Sequence, residues 1–165
     1  MKNLIAPLFL ALILGFSADA QKLKTREGMI RFFSESPLEN IEAVNKQVSS
    51  VLVTENGQFA FLVPIKAFVF EKALMQEHFN ENYMESGEYP TAKFNGTIKN
   101  LDEINFKEDG EYKAIFAGTM EIHGVEREIS EPVTIVVKGN KIKVQTKFMV
   151  KASDYEVKIP AANTD

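Results

Sequence analysis

The sequence predicts an all-β domain, an antiparallel barrel or sandwich of about eight short strands with one amphipathic helix inserted at about 71–84. Three observations predict it. Apolar and polar residues alternate with a period of two through most of the chain, the pattern of strands with one wet face. Gly, Asn and Asp punctuate these runs at hairpin spacing. One stretch, Glu71 to Tyr83, breaks the alternation with apolar residues three and four apart.

The elements follow in order. Met29 to Phe33 reads as a strand that Ser36-Pro37 ends, and Pro37 can open a short helical turn before Ile41. Val44 to Thr54 is strand-like. Glu55-Asn56-Gly57-Gln58 turns it into Phe59 to Ile65, and Phe68 and Phe70 continue that apolar face. In the helix, Leu74, Met75, His78, Phe79 and Tyr83 form the apolar stripe; Ser86-Gly87 and Pro90 stop it. Ala92 to Lys99 and the run around Ile104-Phe106 make two short strands. Asp109-Gly110 turns into the longest alternation, with Tyr112, Ala114, Phe116, Gly118, Met120 and Ile122 on one face. Ile129, Val133, Ile135 and Val137 share a parity, and Gly139-Asn140 joins them to Lys141 to Val150 as a hairpin.

The inward positions are rich in aromatics: Phe59, Phe61, Phe68, Phe70, Phe94, Phe116 and Phe148 stand beside the small Ala114 and Gly118. Large and small side chains together either pack densely or line a slot. Both readings stay open on pattern alone.

The N-terminus reads as a cleavable signal peptide, residues 1–20. Lys2 is the positive region, Leu4 to Phe16 the apolar run, and Ala18 and Ala20 the small residues before a cut at Gln21. The run is shorter than the ~20 residues a spanning helix needs. What remains, 21–165, is the size of one ordinary domain. The net charge of −4 is mild, and no basic block points to nucleic acid. The chain has no cysteine, so it uses no disulfides. No stable membrane insertion is expected of the mature chain.

Catalytic chemistry finds little support. His78 and His123 are the only histidines. Neither sits in a zinc-protease helix, and no nucleophile elbow or phosphate loop occurs. No catalytic residue, metal or cofactor is expected. His78 reads as a half-buried polar residue of the helix and His123 as a turn residue. Asn95-Gly96-Thr97 matches a glycosylation pattern but lies in a strand. Lys141, Lys143 and Lys147 read as a solvated strand face.

The run Phe70 to Ser86, containing Ala73-Leu74-Met75-Gln76-Glu77-His78-Phe79, resembles the helix-to-strand signature of the YceI-like family when followed by Tyr89-Pro90-Thr91-Ala92-Lys93-Phe94-Asn95-Gly96. These are polyisoprenoid-binding, lipocalin-like periplasmic proteins. Phe33-Ser34 with Pro37-Leu38-Glu39, Gly118 to Val125, Asp154-Tyr155 and Ile159-Pro160 add matches over nearly all of 22–160. The helix resembles that of Bacteroidetes-type members.

The resemblance implies an extended eight-stranded lipocalin-like β-barrel with a helix over one end and an apolar channel for a lipid tail. It implies a ligand-binding lining of Phe61, Val63, Phe68, Phe70, Phe94, Phe116, Met120, Ile122, Ile135 and Phe148. Leu74, Met75 and Phe79 would form the lid, with His78 a headgroup candidate at the mouth. Family members continue past the Ile-Pro motif into a final strand, whereas this sequence stops at Asp165; either the sequence is truncated or the barrel closes differently.

The functional expectation is a periplasmic binding or carrier protein, monomer or homodimer, for a long-chain apolar lipid such as a polyisoprenoid, quinone or fatty-acid derivative. The alternative is an exported structural or stress-related interaction protein with a solid core. An enzyme would need a nucleophile–base pair at the channel mouth, and no local motif supplies one.

Overall fold

The computed structural model describes residues 21–35 and 40–158. The leader, the turn at Pro37 and the Ile159-Pro160 motif lie outside the described residues.

Eight strands follow one another: β1 (Lys22–Ser34), β2 (Ile41–Val53), β3 (Gln58–Pro64), β4 (Phe68–Phe70), β5 (Thr91–Ile98), β6 (Gly110–Ile122), β7 (Val125–Lys138) and β8 (Lys141–Gln145). Every pairing is antiparallel, in the order β1-β2-β3-β5-β6-β7-β8, with β4 paired to the first half of β2. The sheet curls into a half-barrel.

The all-β class and the strand number match the sequence expectation, but the hydrogen-bonded ring is not closed: no ladder joins β8 to β1 among the described residues. Pro132 shortens the neighbouring β7–β8 ladder. Thr146 Oγ1 donates to the Pro132 carbonyl at 2.8 Å, so that side of Pro132 faces β8. Proline has no N–H to offer there, and the ladder ends at Gln145. The strand expected to run to Val150 therefore stops five residues early. Across the seam, Leu23 of β1 and Ile142 and Val144 of β8 pack against one shared core cluster.

A bulge re-aims β1 and β2. Leu23 pairs with Leu52, but Gly28 pairs with Val48 and Ile30 with Asn45, so the register shifts twice. Buried positions on β2 change from Ala43 and Asn45 to Val48 and Leu52, odd to even. Asn45, fully buried, pins the shift. Its Nδ2 donates to the Pro64 carbonyl at 2.8 Å and its Oδ1 accepts the Gln47 N–H at 2.8 Å. β2 thus exchanges its partner β3 for β4, across the 3-10 turn Ile65–Ala67.

Two further expectations are corrected. The run at Ile104-Phe106 is not a strand: a 3-10 turn, Leu101–Glu103, precedes it. The Asn100 side chain bonds to the Ile115 N–H and the Lys113 carbonyl, groups a neighbouring strand would otherwise have paired. Ile104 still reaches the core. The inserted helix is shorter than 71–84. It comprises α1 (Ala73–His78) and a π-helical turn, Phe79–Tyr83.

Candidate functional site: the aromatic trough and its lid

Strand parity and register decide which side chains face the concave side. Phe61 stands opposite Phe94, Phe94 opposite Met120, Ile98 opposite Phe116, and Tyr112 opposite Ile135. Phe116, Ile135 and Met120 are 1%, 0% and 7% exposed, so this row is the interior.

The interior has two apolar clusters. One gathers Leu52, Phe59, Ile98, Ala114, Phe116 and Ile135 near the hairpin ends. The other gathers Ala43, Val48, Val63, Phe68 and Phe70 near the helix. Phe61 packs against both, so the apolar lining runs unbroken from one end of the half-barrel to the other. Rings stack along it: Phe59 lies 4.5 Å from Phe116 and 4.8 Å from Phe94, between centroids.

The middle of this trough has a bare floor. Gly96 and Gly118 face each other across β5 and β6. A Cβ on Gly118 would stand 2.0 Å from the Asn95 carbonyl oxygen, and one on Gly96 2.0 Å from that of Ala117. Only glycine permits this approach of the two backbones.

The lid lies over the second cluster. Phe79 sits 4.9 Å from Phe70, 5.5 Å from Phe68 and 5.5 Å from Phe32. Met75, one helical turn earlier, packs on the same cluster. The lid is fastened at its start by Gln76, whose Oε1 accepts the Phe70 N–H at 3.2 Å.

A family model for the YceI-like domain matches residues 19–164. The chain belongs to the YceI-like family. Among solved structures, the YceI-like chain is similar to a polyisoprenoid binding domain from Saccharophagus degradans implicated in plant cell wall breakdown. The identity is 14% over 82% of this chain and 80% of that one, with a TM-score of 0.70. It is also similar to Burkholderia cenocepacia BcnA, at 14% identity over 81% of this chain and 72% of that one, with a TM-score of 0.50. At this identity the likenesses establish the fold. No curated protein sequence matches the chain.

In this YceI-like domain the residues expected to line a channel fall into three groups. Phe61, Val63, Phe68, Phe70, Phe94, Phe116, Met120 and Ile135 share the concave face. Ile122 is half-buried at the end of β6, and Phe148, half-buried beyond the ladder, belongs to neither cluster. Leu74 and His78 are corrections: Leu74 is 61% exposed and His78 is exposed. The seam of so short a helix is filled by Met75 and Phe79, and a residue one step away on an α-helix is turned by about 100°. Leu74 therefore faces outward.

Sequence reasoning missed three groups. Phe32 enters the trough because the β1 bulge sets its parity, which no local pattern reveals. Arg127 and Glu131 lie on the inward parity of Ile129 and Val133, a signal present in the alternation but overlooked because both are charged. His123 does occupy a turn, as expected, yet its side chain is only 10% exposed and bonds to Glu85.

Two surface depressions lie mainly on the convex side. The larger, about 700 Å3, has Glu42, Val44, Lys46 and Val69 in its wall; the smaller, about 210 Å3, lies beside Ala60 and Leu62. Among the described residues no cluster of His, Asp or Glu could hold a metal ion, and no helix is long and apolar enough to cross a membrane.

Proposed function

We propose that this YceI-like domain is an exported, periplasmic binding protein that holds a long apolar lipid, a polyisoprenoid, quinone or fatty-acid derivative, along its concave face. The observation that carries the reading is the continuity of the lining through Phe61, between two clusters that would otherwise be separate. A long chain needs such a path and no catalytic group: each methylene taken out of water contributes about 0.8 kcal/mol. The seam beside β1 and β8, which carries no ladder among the described residues, is where such a molecule would enter. Similarity to a polyisoprenoid binding domain supports the same ligand class. The N-terminal leader read from the sequence supports export.

The test is direct. The chain is expressed with its leader in a Gram-negative host, and the purified periplasmic protein is extracted with organic solvent. Mass spectrometry of the extract is expected to show a long-chain lipid at near-stoichiometric amount. Recovery only from the cytoplasm would overturn the export. Absence of lipid, with no uptake of an added isoprenoid, would overturn the carrier reading.

A second reading has its own observation. The trough rings pack on one another, as Phe59 does on Phe116. A domain whose interior stays filled by its own side chains would act as a scaffold, and the same extraction would then yield nothing.

A further inference from the structure

Two charges stand on the otherwise apolar concave row of β7. Arg127 pairs in register with Met120 and Glu131 with Phe116, and Ile129 between them faces Gly118. Arg127 is exposed and Glu131 half-buried, so the carboxylate is the charge whose burial is costly unless something binds it. The two do not bind each other. Four residues of extended chain separate their backbones by about 13 Å, and no ion pair joins them among the described residues.

Each has unused bonding capacity. Arg127 Nε donates to the Asp154 carbonyl at 2.9 Å, which fixes the guanidinium against the 3-10 turn Ala152–Tyr155 and leaves its terminal nitrogens without a partner among the described residues. Glu131 is half-buried and has no hydrogen bond or ion pair among the described residues. Tyr155 is 4% exposed. Burial pushes its phenol upward from the ordinary value, Arg127 pulls it down, and Asp154 and Glu131 push it up. Its hydroxyl therefore lies within the fields of both β7 charges. Beside this group Gly96 and Gly118 face each other, a stretch of the concave face without side chains.

We propose that Arg127, Glu131 and Tyr155 form the headgroup site of the trough, and that it takes a neutral hydroxyl, that of a long-chain alcohol or phenol. The proposal rests on the lipid-holding reading above. A hydroxyl can accept from the Arg127 guanidinium and donate to the Glu131 carboxylate at once, joining two side chains that do not pair with each other. A phosphate or carboxylate satisfies Arg127 but meets a like charge at Glu131, which disfavours it. The tail would run from this point along Phe94 and Phe61 toward the lid.

The experiment uses three probes of similar chain length and calorimetric titration of the purified chain: geranylgeraniol, geranylgeranyl diphosphate and the hydrocarbon phytane. Geranylgeraniol is expected to bind about tenfold more tightly than the diphosphate and than phytane. Glu131→Gln should raise diphosphate affinity roughly fivefold, and Arg127→Met should lower geranylgeraniol affinity by a similar factor. Unchanged melting temperatures would show that both variants fold; if either does not, Tyr155→Phe, which removes one hydroxyl, is expected to weaken geranylgeraniol alone. Equal binding of all three probes, or preference for the diphosphate, would overturn the headgroup site and leave the carrier reading standing. Binding of none would overturn both.

Discussion

His123 Nε2 lies 2.8 Å from Glu85 Oε2, and both residues adopt left-handed backbone conformations, with φ of 53° and 44°. Such conformations cost a residue with a side chain roughly 1–2 kcal/mol, so the contact joins two strained points. One is the β6–β7 hairpin and the other the end of the π-helical turn. Tyr89 packs on the imidazole at 4.4 Å, and a Cβ on Gly124 would meet the Tyr89 ring at 2.7 Å. Together with Gln76 at the other end, this contact fastens the lid to the half-barrel.

His123→Ala is expected to destabilise the domain by about 2 kcal/mol through the lost hydrogen bond and ring contact. His123→Gly should recover about 1 kcal/mol of that, because glycine adopts the left-handed turn freely. Urea unfolding of both variants measures the difference. An alanine variant as stable as the glycine variant would show that the turn stores no strain.

Gly118→Ala should be, with Gly96→Ala, among the most damaging single-methyl changes in the domain. With the added carbon 2.0 Å from a backbone oxygen, β5 and β6 must separate, at a cost of about 3 kcal/mol or more. Gly87→Ala, where nothing lies within 4 Å, is the control and should be within about 0.5 kcal/mol of the parent. Thermal melts of the two variants would decide it, and equal melting temperatures would refute the close approach.

The two lid residues Phe79 and Leu74 should behave oppositely. Phe79→Ala removes a ring that touches Phe32, Phe68 and Phe70, and should cost about 2–3 kcal/mol. Leu74→Ala, at an exposed position, should change stability by less than about 0.5 kcal/mol. A larger loss at Leu74 than at Phe79 would mean that the helix is turned the other way.

Alkaline titration should expose Tyr155. Burial raises its pKa in the folded state, so the fold favours the protonated phenol. Its contribution is fully present below the unfolded value of 10.0 and is lost as pH rises through the folded one. Unfolding free energy should therefore fall above about pH 10, and less steeply in Tyr155→Phe. Tyr89 and Tyr112 are raised as well, so part of the slope will remain. Identical slopes in the parent and Tyr155→Phe would remove Tyr155 from the account.

Local alternation made β6 legible: Tyr112 to Ile122 needs no tertiary information, and neither does the Gly139-Asn140 hairpin. Parity failed where geometry is non-local. The odd-to-even change on β2 depends on Asn45 reaching the carbonyl of Pro64, nineteen residues away, which no window along the chain detects. Ile104 was misread because burial there comes from a turn rather than from a strand. Leu74 was misread because a stripe drawn for a regular helix does not hold across six α-helical residues and a π turn. In the trough, the aromatic positions were legible by parity. The charges Arg127 and Glu131 were not, because alternation is read from apolar residues, and Tyr155 lies in the chain that follows β8.

Among the described residues no ladder joins β1 to β8, and the two strands meet only through apolar contacts on a shared cluster. Hydrogen-bonded strands hold a fixed girth, whereas contacts of this kind let it vary. Apolar contacts weaken on cooling, so the interior should be widest in the cold. The half-barrel would then behave less like a vessel of set capacity than like a clasp, whose grip follows the thickness of what it encloses and the temperature at which it closes.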